Sequence, residues 1–162
     1  MKIAKKVCLI GRFAVGKTSL VRQYIENQFS EKYKTTVGVS ISTKVIDIDD
    51  HSISMILWDI AGFEQEGHYK HYLRGTQGII WVLDGTEPES FDIFEKVSIP
   101  DLDSIPAICL VNKCDLKDQW RLNEDSLQKI RQYVSTIHYS SAKTGENVED
   151  SFNELAKKLL GQ

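Results

Sequence analysis

Cysteine is scarce in this sequence, and its spacing excludes two classes of small protein. The 162 residues include three cysteines, Cys8, Cys109 and Cys114, which form no CxxC pair. Disulfide-stapled secreted domains and zinc-binding domains both need several cysteines at regular spacings. Cys8 and Cys109 instead lie inside apolar runs, where cysteine behaves as a small hydrophobic residue. We therefore expect free thiols and a reducing compartment.

The sequence also lacks a large excess of charge of one sign, and it has no long hydrophobic run. Twenty Lys and Arg against 23 Asp and Glu give a net charge of −3, so no basic surface for nucleic acid is expected. No apolar run approaches the ~18–20 residues that a membrane span needs. Residues 1–6 lack the apolar stretch of a signal peptide, and neither a myristoylation glycine at position 2 nor a prenylation cysteine at 160–162 is present. We expect a cytoplasmic protein without a lipid anchor.

What remains is typical of one globular α/β domain spanning residues 1–162. Hydrophobic residues make up 41% and charged residues 27%, with no repeat and few glycines or prolines. Short apolar runs alternate with helix-period segments, which favours a mostly parallel sheet covered on both faces. We predict about five helices, with Asn147 capping the last one. The six predicted strands cover residues 7–10, 37–48, 53–57, 79–83, 107–111 and 137–139; the second and third form an antiparallel edge hairpin.

The residues that follow the first strand carry the strongest functional signal. Residues 11–18 read Gly-Arg-Phe-Ala-Val-Gly-Lys-Thr and match GxxxxGK[ST] between a buried strand and an amphipathic helix. Glycines let such a loop wrap a phosphate, lysine supplies charge to the β- and γ-phosphates, and the Thr hydroxyl can bind Mg²⁺. The alternative is an ordinary turn with a surface lysine. The predicted contacts are Phe13, Ala14, Val15, Gly16, Lys17, Thr18 and Ser19.

Two further motifs follow predicted strands. Asp59 and Gly62, in Trp-Asp-Ile-Ala-Gly, are placed to hold Mg²⁺ and to approach a terminal phosphate. Residues 112–115 read Asn-Lys-Cys-Asp, and an acceptor-only carboxylate suits the adjacent N–H donors of guanine, whereas adenine presents the opposite pattern. The backbone after the sixth strand is placed to meet the guanine O6. The predicted base contacts are Asn112, Lys113, Asp115, Ser141, Ala142 and Lys143.

These four segments, in this order and spacing, resemble the Ras-like small GTPases, the Rab and Rho branches in particular, over residues 7–159. The resemblance implies a three-layer P-loop NTPase fold that binds GTP or GDP with Mg²⁺. It also implies that Phe29 stacks on the base edge, that Tyr33 closes over the phosphates, and that Thr36 joins Thr18 and Asp59 as a metal ligand. The segments around Thr36 and from residue 62 to about 74 look like two switch loops that bind effector and regulatory proteins. A homodimer through these surfaces is a further expectation.

The sequence departs from that family in ways that bear on catalysis. Phe63 stands where the family usually has the glutamine that orients the attacking water, and Phe13 stands where a glycine is common. Gln65 is the candidate substitute, which leaves Lys17, Thr36 and Gln65 as the predicted catalytic residues. Arg12 and Arg74 are candidates to supply charge in cis. Phe63 and Trp58 belong either to an exposed apolar patch or to the core.

Three functions are compatible with these motifs. The first is a molecular switch that hydrolyses GTP slowly and changes its surface for a partner protein. The second is a GTP-loaded interaction module with negligible turnover. The third, an ATP-dependent P-loop kinase, leaves residues 112–115 unexplained and has no residues to spare for a lid.

Overall fold

One mixed sheet organises the chain. In the computed structural model, the described residues are 2–27, 29, 38–61, 63 and 69–162. The strands are β1 (Lys2–Ile10), β2 (Val39–Ile48), β3 (His51–Ile60), β4 (Gly78–Asp84), β5 (Ala107–Asn112) and β6 (Ile137–Tyr139). Their order is β2-β3-β1-β4-β5-β6; β2 pairs antiparallel with β3, and the other pairs are parallel. The predicted sheet, with its antiparallel edge hairpin, is confirmed.

The strand boundaries differ from the prediction where side chains are only partly buried. β1 begins at Lys2 rather than Val7, because residues 2–6 pair in parallel register with residues 52–56 of β3 although their side chains remain partly exposed. A mixed polar stretch of that kind lacks the apolar run on which the prediction relied. β4 is buried at all seven positions, as expected of a central strand that is covered on both faces.

Four α-helices lie in the described part of the chain, close to the five predicted. They are α1 (Lys17–Glu26), α2 (Ile93–Lys96), α3 (Glu124–Arg131) and α4 (Val148–Leu159). Short 3₁₀ helices cover Lys70–Leu73, Pro88–Asp92, Leu102–Ser104 and Lys117–Gln119. Within these described ranges, no helix is long and apolar enough to cross a membrane.

Two apolar cores, one on each face of the sheet, produce the three layers. Alternate residues of β1 point to opposite faces, so Val7 and Leu9 enter one core and Cys8 and Ile10 the other. Helices α1 and α4 cover the first face, where the rings of Tyr24 and Phe152 lie 4.3 Å apart. The second face is covered by α2, α3 and the 3₁₀ helix Lys70–Leu73. The three-layer α/β prediction is confirmed.

Asn147 occupies the predicted N-cap position of the last helix, but the prediction that its side chain caps the helix is wrong. Asn147 does precede α4, but its φ of 58° is left-handed and its side chain makes no capping bond. Its Nδ2 instead donates to the Tyr139 carbonyl at 2.7 Å. The amide therefore fastens the start of α4 to the end of β6, which a local capping pattern does not reveal.

Candidate nucleotide-binding site

A cavity of about 320 Å³ lies at the carboxyl edge of the sheet. The carboxyl ends of parallel strands meet at one edge, and ligand crevices form there in open α/β sheets. Residues distant in sequence therefore share this cavity. Its lining comprises Ala14, Gly16, Ser19, Phe29, Asn112, Lys113, Asp115, Leu116, Ala142 and Lys143. All of these except Leu116 are residues that the sequence predicted as nucleotide contacts.

The loop after β1 has the backbone that phosphate binding needs. Gly16 has a φ of 108°, and a Cβ at this position would lie 2.2 Å from Asn112 Nδ2, so neither the conformation nor the space admits a side chain. Helix α1 starts at the next residue, and a helix N-terminus attracts anions. The buried Lys17 ammonium donates to the carbonyls of Gly11 at 2.7 Å and Arg12 at 3.2 Å, which holds it along the inner side of the loop.

Asn112 fastens three loops around the cavity. Its Nδ2 donates to the Val15 carbonyl at 3.0 Å, which ties the end of β5 to the phosphate loop. Its Oδ1 accepts bonds of 3.2 Å from the Ser140 hydroxyl and the Ala142 backbone N–H. The side chain is buried, and these bonds give it an organising role in addition to its place in the cavity wall.

Lys113 bridges the phosphate loop and the end of β4 through a residue that the sequence reasoning missed. Its Nζ donates to the Ala14 carbonyl at 2.9 Å and to Asp84 Oδ2 at 2.6 Å. Asp84 is buried, and its Oδ1 accepts from the backbone N–H and the hydroxyl of Thr86. The available signal was an acidic residue that ends the apolar run 79–83 at the carboxyl end of a central strand.

Asp115 presents a fixed carboxylate to the cavity. The Ser141 hydroxyl donates to Asp115 Oδ1 at 2.8 Å, and Ser141 in turn accepts from the Thr144 backbone N–H at 3.0 Å. These bonds hold an acceptor-only group beside the 141–143 backbone. The arrangement matches the N1–H and N2–H₂ donors of guanine with acceptors and leaves the O6 to a backbone N–H.

Cys114 also connects the loop after β5 to the loop after β6. Its backbone N–H donates to the Ser140 carbonyl at 3.0 Å, and its Sγ donates to Glu146 Oε2 at 3.4 Å. Burial, followed by the Glu146 carboxylate, raises the pKa of the Cys114 thiol to about 11. The thiol therefore stays protonated near neutral pH and acts as a hydrogen-bond donor.

The side chains of Thr18, in the first turn of α1, and Asp59, near the end of β3, contact each other. The Thr18 hydroxyl donates to Asp59 Oδ2 at 2.5 Å, and Asp59 is buried at the end of β3. A hydroxyl and a carboxylate are the hard oxygen ligands that Mg²⁺ prefers. Their convergence one residue beyond Lys17 fits a magnesium ion held between protein and phosphate.

Phe63 is a core residue. It is buried, its ring lies 4.9 Å from that of Tyr69, and Lys17 Nζ lies 5.7 Å from its centroid. Of the two alternatives left open for Phe63, an exposed apolar patch and the core, the structure supports the core, because this ring packs into the second core. Trp58 is half-buried, with Lys6 Nζ 3.7 Å above its ring.

Arg12 points away from the phosphate-binding side of the loop. Its Nη1 donates to the Glu89 carbonyl at 3.0 Å, and its Nε lies 3.9 Å from Asp92 Oδ1. The guanidinium thus braces the loop against the 3₁₀ helix Pro88–Asp92. Phe13 is 59% exposed and does not line the cavity. Tyr33, Thr36, Gly62 and Gln65 lie outside the described residues, and their roles stay predictions.

A tryptophan packs against the chain just after β4, outside the cavity lining. A Cβ on Gly85 would lie 2.0 Å from Trp120 Cζ3, so the indole rests directly on the chain just after β4. The Arg121 backbone N–H donates to the Gly85 carbonyl at 2.8 Å. Nothing in the local sequence around Trp120 indicates this contact.

Comparisons with known proteins place the chain in a family. The sequence model of the Ras family matches residues 6–161. Ras-related protein Rab-7b of Mus musculus is 34% identical over 168 residues, which cover 98% of this chain and 84% of the relative. Ras-related protein Rab7 of Drosophila melanogaster is 36% identical, covering 96% and 80%, and the Ypt/Rab-type GTPase ypt7 of Pyricularia oryzae is 33% identical, covering 99% and 84%. The chain therefore belongs to the Ras family of small GTPases.

Proposed function

We propose that the chain is a guanine-nucleotide switch that binds GTP or GDP with Mg²⁺ in this cavity, hydrolyses GTP slowly and signals to effector and regulatory proteins. The observation that carries the proposal is the Asp115 carboxylate, fixed by Ser141 on the wall of the cavity whose opposite side is the phosphate loop. The similar Ypt/Rab-type GTPase of Pyricularia oryzae supports the reaction class. The switch is proposed to act in the cytoplasm.

Each part of the nucleotide has a proposed partner in the chain. Asp115 and the 141–143 backbone select the base, while Phe29 and Lys113 flank it. The Lys17 ammonium and the loop amides stabilise the charge that develops on the phosphates during water attack. Thr18 and Asp59 hold Mg²⁺, which neutralises phosphate charge when bound. Thr36 is proposed to join them only in the GTP form.

Slow hydrolysis is proposed because of Phe63. A phenyl ring 5.7 Å from Lys17 Nζ lies beside the phosphate-binding residues and offers no hydrogen bond to a water. Losing a water-orienting group adds ~1.4 kcal/mol or more to the barrier, about tenfold in rate. The same ring supports the second candidate, a GTP-loaded interaction module with negligible turnover.

Competition binding tests the base assignment. We expect GTP and GDP to displace a fluorescent guanine nucleotide, whereas ATP does not. Asp115→Asn should weaken GTP binding by ~1–3 kcal/mol, because donors on the base lose their acceptor. Equal affinity for GTP and ATP in the unchanged chain would contradict guanine selectivity and favour a kinase-like function.

Single-turnover hydrolysis separates the two guanine-nucleotide functions. Phe63→Gln is expected to accelerate hydrolysis of bound GTP, and a further change of Phe13→Gly should accelerate it again by making room for water. Phe63→Leu is the matched control, since it changes the core packing without adding an amide. A rate no higher in Phe63→Gln than in Phe63→Leu would remove residue 63 from the explanation, and undetectable turnover in the unchanged chain would select the interaction module.

Hydrogen exchange tests the role of Thr36. Thr36→Ala should leave GDP binding nearly intact while abolishing the difference in protection between the GTP-loaded and GDP-loaded forms. The segments to compare are those around Thr36 and from residue 62 to about 74. A difference that persists unchanged in the variant would exclude Thr36 from switching.

A further inference from the structure

The outer edge of β2 lacks most of the features that protect a sheet edge. The strand runs from Val39 to Ile48, and its pairing with β3 continues without a bulge along that whole length. Among the residues that the structure describes, β3 is the only strand that pairs with it. Natural edges are kept from pairing by shortness, proline, bulges or charged side chains. β2 has ten residues, no proline and no glycine.

The single lysine of β2, Lys44, is not placed to oppose strand pairing at the edge. Lys44 Nζ lies 5.0 Å from the centroid of the Tyr24 ring and donates to the Tyr24 carbonyl at 3.4 Å. The side chain is therefore turned onto α1, on one face of the sheet. Asp47 is the other charged residue of β2, so the strand carries no net charge.

The other face of β2 carries an apolar stripe up to the edge. Ile41 and Val45 are each 51% exposed, and Thr43 lies exposed between them on the same face. Ile41 and Thr43 are paired with Trp58 and Ile56 of β3, which are half-buried. The stripe thus continues inward from the edge over two strands.

We propose that a second copy of this chain occupies the edge, with the two β2 strands antiparallel about a two-fold axis at Thr43. In this register Thr43 faces its own symmetry mate. Ile41 faces Val45 of the second copy, and the symmetry repeats that pair. A two-fold interface is self-complementary, and β-branched residues directly opposite one another stabilise antiparallel strands. The two sheets then form one continuous sheet.

The neighbouring registers fit less well. Centring the axis on Lys44 places two lysines opposite each other, which is unfavourable. Centring it on Val45 sets Thr43 against Asp47 and leaves Ile41 opposite Asp49 beyond the strand. Centring it on Ser42 sets Ile41 against Thr43 rather than against an apolar side chain. Of these registers, only the one centred on Thr43 sets the two half-exposed apolar residues, Ile41 and Val45, against each other. The pairing uses none of the cavity residues. The proposed dimer and the proposed nucleotide binding can therefore be tested independently of each other.

Cysteine cross-linking reports the register. Thr43→Cys, in a Cys114→Ser background, places two thiols directly opposite, where Cα atoms of antiparallel strands lie about 4.5–5.5 Å apart, within disulfide range. Val45→Cys is the matched control, because its two copies lie roughly 13 Å apart, four strand residues of ~3.3 Å. We expect disulfide-linked dimer from Thr43→Cys under mild oxidation and far less from Val45→Cys.

Sedimentation of the full chain over a concentration series tests the pairing itself. We expect a concentration-dependent dimer in the unchanged chain. Ile41→Lys and Val45→Glu should each raise the dimer dissociation constant by roughly tenfold or more, since each acts at two symmetry-related pairs. The double variant should recover dimer, because the introduced lysine and glutamate then face each other across the axis.

The outcomes decide the proposal. Both side chains are half-exposed, so the single variants are expected to fold, and circular dichroism checks this. A chain that stays monomeric at every concentration overturns the second copy as occupant and leaves the edge to a strand of a different protein. A dimer that Ile41→Lys does not weaken, or equal cross-linking of Thr43→Cys and Val45→Cys, also overturns it. Recovery in the double variant supports the Thr43-centred register.

Discussion

At the scale of single residues, Lys113 connects segments that are far apart in the sequence. It reaches the phosphate loop at Ala14 and the end of β4 at Asp84. We expect Asp84→Asn to accelerate nucleotide release by about tenfold, because a charge-assisted bond contributes ~1.5–3 kcal/mol. Displacement of a fluorescent GDP analogue by excess GDP measures the rate.

A double-mutant cycle separates a positioning role of Asp84 from a purely structural one. In a Lys113→Met background, Asp84→Asn should have little further effect on nucleotide release. An equal effect in both backgrounds would mean that Asp84 acts on the fold and not through Lys113.

The thiol of Cys114 provides a pH-dependent readout of the base-binding loops. Burial and Glu146 raise its pKa to about 11, so thiolate is scarce near neutral pH and increases as the pH rises toward that value. We expect alkylation at Cys114, followed by peptide mass spectrometry, to be slow near neutral pH and to accelerate with pH. Glu146→Gln should lower the pKa and speed the reaction. A native rate equal to that of the denatured chain would contradict the raised pKa.

Residue identities in the site were predictable where chemistry and spacing combine in one short segment. The phosphate loop and residues 112–115 are of this kind, and the structure brings residues from both segments into the lining of one cavity: Ala14, Gly16, Ser19, Asn112, Lys113 and Asp115. Asp84 and Trp120 were not predictable from the local sequence. The partner of Asp84, Lys113, lies 29 residues away, and the partner of Trp120, Gly85, lies 35 residues away. The burial of Phe63 was also not predictable from the sequence, since it depends on tertiary contacts with Tyr69 and the second core.

At the scale of secondary structure elements, α4 is held to the sheet mainly by its apolar face. Phe152 is fully buried against Tyr24 of α1. We expect Phe152→Ala to lower the free energy of unfolding by ~3–5 kcal/mol, because it removes a large ring and leaves a cavity. Urea denaturation measures the loss. Lys157→Ala, at an exposed position of the same helix, is the control and should change stability by less than ~0.5 kcal/mol.

Element types were predictable from periodicity, whereas some boundaries were not. Helix α4 shows apolar residues at helical spacing, and its burial follows that pattern. The start of β1 and the partner of Asn147 depend on pairing with β3 and on the end of β6. Such contacts are tertiary, and no local window of sequence contains them.

At the scale of the whole molecule, the cavity is where loops from β1, β5 and β6 meet. A ligand that binds only the native state stabilises it, by ~2.7 kcal/mol at a hundred times its dissociation constant. We therefore expect removal of Mg²⁺ with EDTA to release nucleotide and to lower the melting temperature, and re-addition of Mg²⁺ with GDP to restore it. Nucleotide-free protein is the control and should not respond to EDTA. An unchanged melting temperature in the loaded protein would contradict metal-dependent nucleotide binding.

The three tryptophans lie in three different environments. Trp81 is buried in the second core, Trp58 lies half-buried on β3 under Lys6, and Trp120 rests on Gly85 just after β4. Trp120 does not line the cavity, but it lies on the residue after Asp84, which bonds to Lys113 of the cavity wall. We therefore expect nucleotide binding to change the emission of Trp120 more than that of Trp81. Replacing Trp58 by phenylalanine would leave an intrinsic fluorescence signal through which nucleotide exchange can be followed on the unlabelled protein.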